Sequence, residues 1–176
     1  MQSLRYLAHY SQEILAQVQN LIDTDTLGER LIRKYPDTHP YTTDKSLYDY
    51  VMEIKNTHFR SSAPISKVLY DTKIRDLNSA LGTHTFVSRV QGGKLKAKNE
   101  IRISHFFKKV PEPFLRMIVT HELAHLKEKD HNKAFYSLCT HIEAEYHQLE
   151  FEVRLYLTYV DHFGELYSRT SSTKTS

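Results

Sequence analysis

Residues 121–125 read His-Glu-Leu-Ala-His, inside a segment where Phe114, Leu115, Ile118, Val119, Leu123 and Leu126 recur at three- and four-residue spacing, the period of one helix face. Side chains four apart on a helix lie one turn above each other on the same face, so His121 and His125 can present two imidazoles to one cation. Zinc accepts that geometry. Glu122 is rotated by roughly 100° from His121, which puts its carboxylate beside the ion and off it, the place of a general base. A chance occurrence of this string in a chain with eleven histidines is expected only about 0.05 times. The fold must therefore supply an apolar-striped helix and bring further groups to one end of it.

A chain of 176 residues is one domain's length. The expected division is a single domain over 1–165 and a disordered polar tail over 166–176, because the closing run SRTSSTKTS has no apolar residue. The hydrophobic share of 40% and charged share of 26% exclude a wholly disordered, collagen-like or membrane-embedded chain. Only five glycines are present, where average usage predicts about twelve, which argues for long helices and few tight turns. The single cysteine, Cys139, cannot form an intrachain disulfide; it is expected to be a buried, inert thiol in a reducing compartment. The start of the chain lacks a stretch of signal-peptide length and no window approaches a membrane span, so a cytoplasmic protein is expected. A net charge of +3 is too small for a bulk polyelectrolyte argument about nucleic acid.

Apolar spacing predicts an amphipathic helix through Leu4–Ile22, a short helix through Leu27, Leu31 and Ile32 that stops before Pro36, and a third from Asp44 as N-cap to about Phe59. The middle reads as short strands over 67–70, 85–90 and 100–104, with a helical turn at 79–82 and a hairpin whose tip carries Gly92, Gly93 and lysines. Helices are expected again over about 111–128, 132–147 and 149–162.

Catalytic zinc takes three protein groups and leaves a position for water. His131 supplies the third if the motif helix ends near 128–130 and the chain doubles back; six further residues of straight helix would turn it away by about 240°. Lys127 and Lys129 suit a helix end, Asp130 can cap the next helix and Asn132 tolerates a left-handed backbone. Glu143, Glu145, His141 and His147 are the rivals for that position. Glu143, Glu145 and Glu150 are also candidates to accept the far N–H of an imidazole ligand, and Tyr136 or Tyr146 could stabilise an oxyanion or pack in the core. From Arg89 to Lys109 seven basic residues, Lys94, Lys96 and Arg102 among them, face one acid, Glu100. They form either a solvated hairpin tip or a phosphate or nucleic-acid contact near the metal.

The stretches SKVLYD, SRVQGGKLKAKNEIRIS, FLRMIVTHELAHLKEKDHNKAF and YHQLEFEVRL resemble the YgjP-like family of small bacterial metallopeptidases, over most of the chain from about residue 3 to residue 162. The resemblance implies metal ligands His121, His125 and His131, catalytic Glu122, and Phe135 in an H-x-x-x-F signature after the third histidine. It implies an α+β, zincin-like small domain, mainly helical, with a sheet of about three strands packed on the motif helix. The SprT and WLM peptidases, some of which act on proteins crosslinked to DNA, look similar at greater distance. The motif spacing is also that of metzincin peptidases, which place a glycine where this chain has Glu128. A pyrophosphatase activity on UTP is ascribed to this type of protein as well. The expectation is a hydrolase dependent on Zn²⁺, or on Ni²⁺ or another divalent transition metal. Its substrate is a peptide or protein first and a nucleoside triphosphate second, and a binding module with a retained metal stands third.

Overall fold

The motif segment forms a helix buried at the centre of the described residues. The computed structural model describes residues 4–77 and 99–167, in which a 3-10 turn at Arg5–Leu7 is followed by α1 (Gln12–Asp23), α2 (Leu27–Lys34), α3 (Asp44–His58), β1 (Ile65–Asp71), β2 (Asn99–Ser104), a 3-10 helix at His105–Lys109, α4 (Glu112–Ala124), α5 (Lys133–Ile142) and α6 (Tyr146–Phe163). This is a small α+β domain. No helix among the described residues is long and apolar enough to cross a membrane.

Helix α4 begins where Pro111, in an extended conformation, gives way to Glu112 and Pro113. Proline has no N–H to lose in a first turn and its φ already suits a helix. Phe114, Leu115, Met117, Val119, Leu123 and Ala124 have no exposed surface. A helix apolar on nearly every side belongs at the centre of a fold, and α4 packs against α5, α6, β2 and the 3-10 helix before it. Helix α2 closes on α6 so tightly that a Cβ at Gly28 would sit 2.7 Å from the Tyr159 ring, a contact only glycine permits. Helix α6 stops at Gly164, whose φ of 80° lies in the left-handed region that side chains avoid.

Strands β1 and β2 pair in parallel, Lys67 with Glu100 through Asp71 with Ser104, after an irregularity between Ile65 and Lys67. Parallel neighbours require a long crossover, here residues 72–98. The expected sheet of about three strands is a two-stranded sheet among the described residues. The strand at 85–90, the turn at 79–82 and the hairpin tip with Lys94 and Lys96 lie outside them.

Several boundaries differ from the periodicity, each for a local reason. The helix expected from Leu4 onward is interrupted. Arg5 pairs with Asp161 at 2.8 Å, and Arg154 donates to the Tyr6 carbonyl, tying the first turn to α6, while Ser11 accepts from Ile14 N and restarts the helix. The N-cap of α3 is Thr43, one residue before Asp44, because Thr43 and Ser46 form a reciprocal capping box. Asp44 instead accepts the Tyr70 backbone N–H at 3.0 Å, linking α3 to β1. Leu166 and Tyr167, expected in the polar tail, are buried; they are apolar, and the Tyr167 hydroxyl donates to the Tyr35 carbonyl at 2.9 Å. Residues 168–176 lie outside the described residues.

Candidate metal centre

The end of α4 decides the geometry. Regular helix stops at Ala124, about four residues earlier than the sequence suggests, with His125 still in helical conformation as C-cap. The backbone N–H groups of Leu126 and Lys127 then bond three residues back, to Leu123 and Ala124, the tightened closure common at helix ends. No left-handed residue is needed: Asn132 is extended, with φ −95° and ψ −176°. It is also Asn132, and not Asp130, that caps α5, its side-chain oxygen accepting from Phe135 N at 2.9 Å. The chain thereby doubles back over residues 126–132 and returns His131 to the α4 face.

His121, His125 and His131 converge. Their Nε2 atoms lie 3.1 to 3.2 Å from one another, and they form the only such cluster of three candidate metal-ligating residues found among the described residues. His121 is buried and the other two are partly exposed, so the cluster opens to solvent on one side. Behind the rings, His125 Nδ1 faces the Glu128 backbone carbonyl at 2.9 Å. A carbonyl can only accept, so Nδ1 carries the hydrogen and Nε2 of neutral His125 is a bare lone pair aimed into the cluster. His121 Nδ1 lies 2.8 Å from the Tyr146 hydroxyl. Three imidazole nitrogens on a tetrahedral zinc at 2.0–2.1 Å stand about 3.3 Å apart, close to the observed spacing. The donor set fits a divalent cation.

Phe135 forms the floor. It is fully buried, and its ring centroid lies 4.9, 4.5 and 4.8 Å from those of His121, His125 and His131. Glu122 follows His121 in α4 and makes no hydrogen bond or ion pair among the described residues. The residue keeps partial exposure, yet burial of its carboxyl group pushes its pKa up to about 7. A cation at the imidazoles favours the charged form and works against that rise.

The rival ligands have other partners. Glu143 takes Arg116 Nε at 2.6 Å and the Glu145 backbone N–H at 3.2 Å, so it neither ligates in place of His131 nor backs an imidazole. Glu145 is exposed at the start of α6, Glu150 pairs with Arg154 at 3.0 Å, His141 packs against His58 and His147 against Tyr136. Tyr136 flanks the site, its ring 6.3 Å from that of His131. Arg102 is bound within the sheet, to Asp71 at 2.9 Å and Glu100 at 3.1 Å; Lys94 and Lys96 lie outside the described residues. Cys139 is fully buried, and burial pushes its thiol up to about 12. Sequence reasoning missed the two groups behind the rings. One is a main-chain carbonyl, which leaves no side-chain signature, and the other lies 25 residues from its histidine.

Comparison with known proteins agrees with this geometry. The family description "YgjP-like, metallopeptidase domain" matches residues 87–154. A curated protein of Escherichia coli (strain K12), named UTP pyrophosphatase, is 60% identical over 158 residues, which cover 90% of this chain and 95% of that protein. No solved structure matches. The family and the three-histidine cluster together fit a metal-dependent hydrolase. With the motif, the third histidine and the phenylalanine beneath them all in place, and identity sustained along nearly the whole chain, this protein belongs to the YgjP-like family.

Proposed function

We propose that this protein is a metal-dependent pyrophosphatase of nucleoside triphosphates, with UTP the first substrate to test. The observation that carries the hydrolase reading is the convergence of the three Nε2 atoms, 3.1 to 3.2 Å apart, with Glu122 next to His121 in the chain and without a hydrogen bond or ion pair among the described residues. The choice of a phosphoanhydride over a peptide bond rests on the relative's name, since 60% identity along 95% of that protein is a closer tie than a shared motif. Lys127, Lys129 and Lys133, all exposed and within six residues of His131, add the cationic surroundings a triphosphate favours.

His121, His125 and His131 would hold the ion, with zinc the proposed metal and Ni²⁺ the main alternative. A divalent cation there supplies Lewis acidity to a phosphoryl oxygen and to water. Glu122 accepts the proton of the attacking water as its oxygen bonds to the α-phosphorus. As the α–β bridging bond breaks, Glu122 returns that proton to the departing pyrophosphate. His125 is kept in register by the Glu128 carbonyl, and Phe135 blocks water from below.

A metallopeptidase is the second reading, favoured by the family description and by the same carboxylate, which serves a carbonyl as well as a phosphoryl group. Metal-loaded protein is incubated with UTP, the other nucleoside triphosphates and casein, with and without chelator, beside Glu122→Gln. Chelator-sensitive pyrophosphate release from UTP that Glu122→Gln abolishes supports the proposal. Peptide fragments without pyrophosphate favour the second reading, and neither product leaves a binding module.

A further inference from the structure

Behind the His121 ring stands a side chain whose chemistry a substitution can change, the Tyr146 phenol. We propose that Tyr146 is a positioning residue for the metal centre: its buried hydroxyl takes the Nδ1 hydrogen of His121 and so keeps the Nε2 lone pair aimed at the cation. This rests on the metal-dependent reading above.

The geometry is specific. Tyr146 opens α6, is fully buried, and its oxygen lies 2.8 Å from Nδ1, on the side of the ring opposite the cluster. It therefore reaches no substrate bound at the Nε2 side, which removes it as an oxyanion donor. A phenol both accepts and donates. When it accepts from His121, its own hydrogen is left for the buried Cys139 thiol, a second hydrogen-bonding neighbour of the phenol. Imidazole ligands usually donate to a carboxylate or carbonyl, and of the carboxylates expected here Glu143 and Glu150 are committed to Arg116 and Arg154.

Without the cation the pair can reverse. The phenol then donates to Nδ1, and Nε2–H of His121 donates to the bare Nε2 of His125, 3.2 Å away. In Tyr146→Phe only this second tautomer keeps its hydrogen bond, and that tautomer cannot ligate. Loading a cation would strand an Nδ1–H in a dry site. The substitution consequently weakens the loaded state and spares the empty one, whereas a merely structural tyrosine would weaken both.

Metal affinity of full-length wild type, Tyr146→Phe and Tyr136→Phe is measured by competition with a chromophoric chelator, using Zn²⁺. Urea unfolding of the metal-free proteins is measured in parallel. The expected result is a 10- to 100-fold loss of affinity in Tyr146→Phe with an apo midpoint near wild type, and near-wild-type affinity in Tyr136→Phe. Unchanged affinity in Tyr146→Phe overturns the proposal, as does a loss matched by an equal loss of apo stability. If that variant does not fold, ¹⁵N spectra of loaded wild type decide: a protonated Nδ1 on His121 supports the role and ligation through Nδ1 overturns it. A wild type that binds no metal refutes the underlying reading instead, so the two failures are distinguishable.

Discussion

Replacing Phe135 by alanine tests whether the three imidazoles are held from below. The ring has no solvent exposure and touches all three histidine rings at centroid distances of 4.5 to 4.9 Å. Removing a buried phenylalanine ring costs about 3–5 kcal/mol, and the upper half of that range is expected because the ring is fully buried against three other rings. A domain's whole stability is about 5–15 kcal/mol. Phe135→Leu preserves most of the volume and gives up mainly the ring-edge contacts, for a cost of about 1–2 kcal/mol. Equilibrium urea unfolding of chelated protein, followed by circular dichroism, measures both. Freed imidazoles also bind metal less well. At a metal concentration of about 100 times the wild-type Kd, wild type gains about 2.7 kcal/mol. A variant with tenfold weaker affinity gains only about 1.4 kcal/mol under the same conditions. A cost below about 1 kcal/mol for the alanine variant, together with undiminished stabilisation by metal, would refute the idea that this ring supports the site.

Three further outcomes follow from particular contacts. Glu122→Gln should retain metal in a chelator competition and lose roughly 10²–10⁴-fold in turnover, the usual contribution of a positioned acid–base group. Asn132→Ala removes the cap of α5 and should cost about 1 kcal/mol in urea unfolding, with a matching fall in metal affinity because the cap fixes the residue after His131. His39 is buried, its Nε2 donating to the Phe107 carbonyl at 2.7 Å and its Nδ1 accepting from Tyr41 N. Burial holds its pKa below the ordinary histidine value, outweighing the Phe107 carbonyl and the Glu112 charge, which act the other way. The unfolded chain thus binds this proton first as pH falls, so His39 contributes stability above about pH 6.5 that is lost on acidification toward its folded pKa. Urea midpoints of wild type should fall more steeply from pH 7 to 5 than those of His39→Gln; parallel slopes would remove His39 from the account.

How much was legible beforehand depends on how local the cause was. That His121 and His125 meet could be read outright, because a four-residue spacing on an apolar-striped helix leaves one geometry. His131 could be read only by supposing that the chain turned back. Sequence alone kept Glu143 and His147 open, since nothing local showed that Arg116 would hold the one and Tyr136 the other. The turn itself was misplaced: the helix closes by three-residue bonds after Ala124, which needs no glycine and no left-handed asparagine and so leaves no mark in the sequence. The break before Ser11 was invisible for a different reason, because the force that makes it, Arg5 on Asp161 and Arg154 on Tyr6, comes from residues about 150 positions away. Parallel pairing of β1 with β2 likewise leaves no mark in the composition of either strand.

Metal content is the most direct test of the central claim. Purified wild type is exchanged into chelator-treated buffer, titrated with Zn²⁺, and analysed for bound metal beside His131→Ala, whose helix α4 still carries His121 and His125. One tightly held ion per chain in wild type, and a Kd at least tenfold weaker in His131→Ala, is the predicted result. Wild type without tightly bound metal, or full retention by the variant, would contradict a centre built from these three imidazoles.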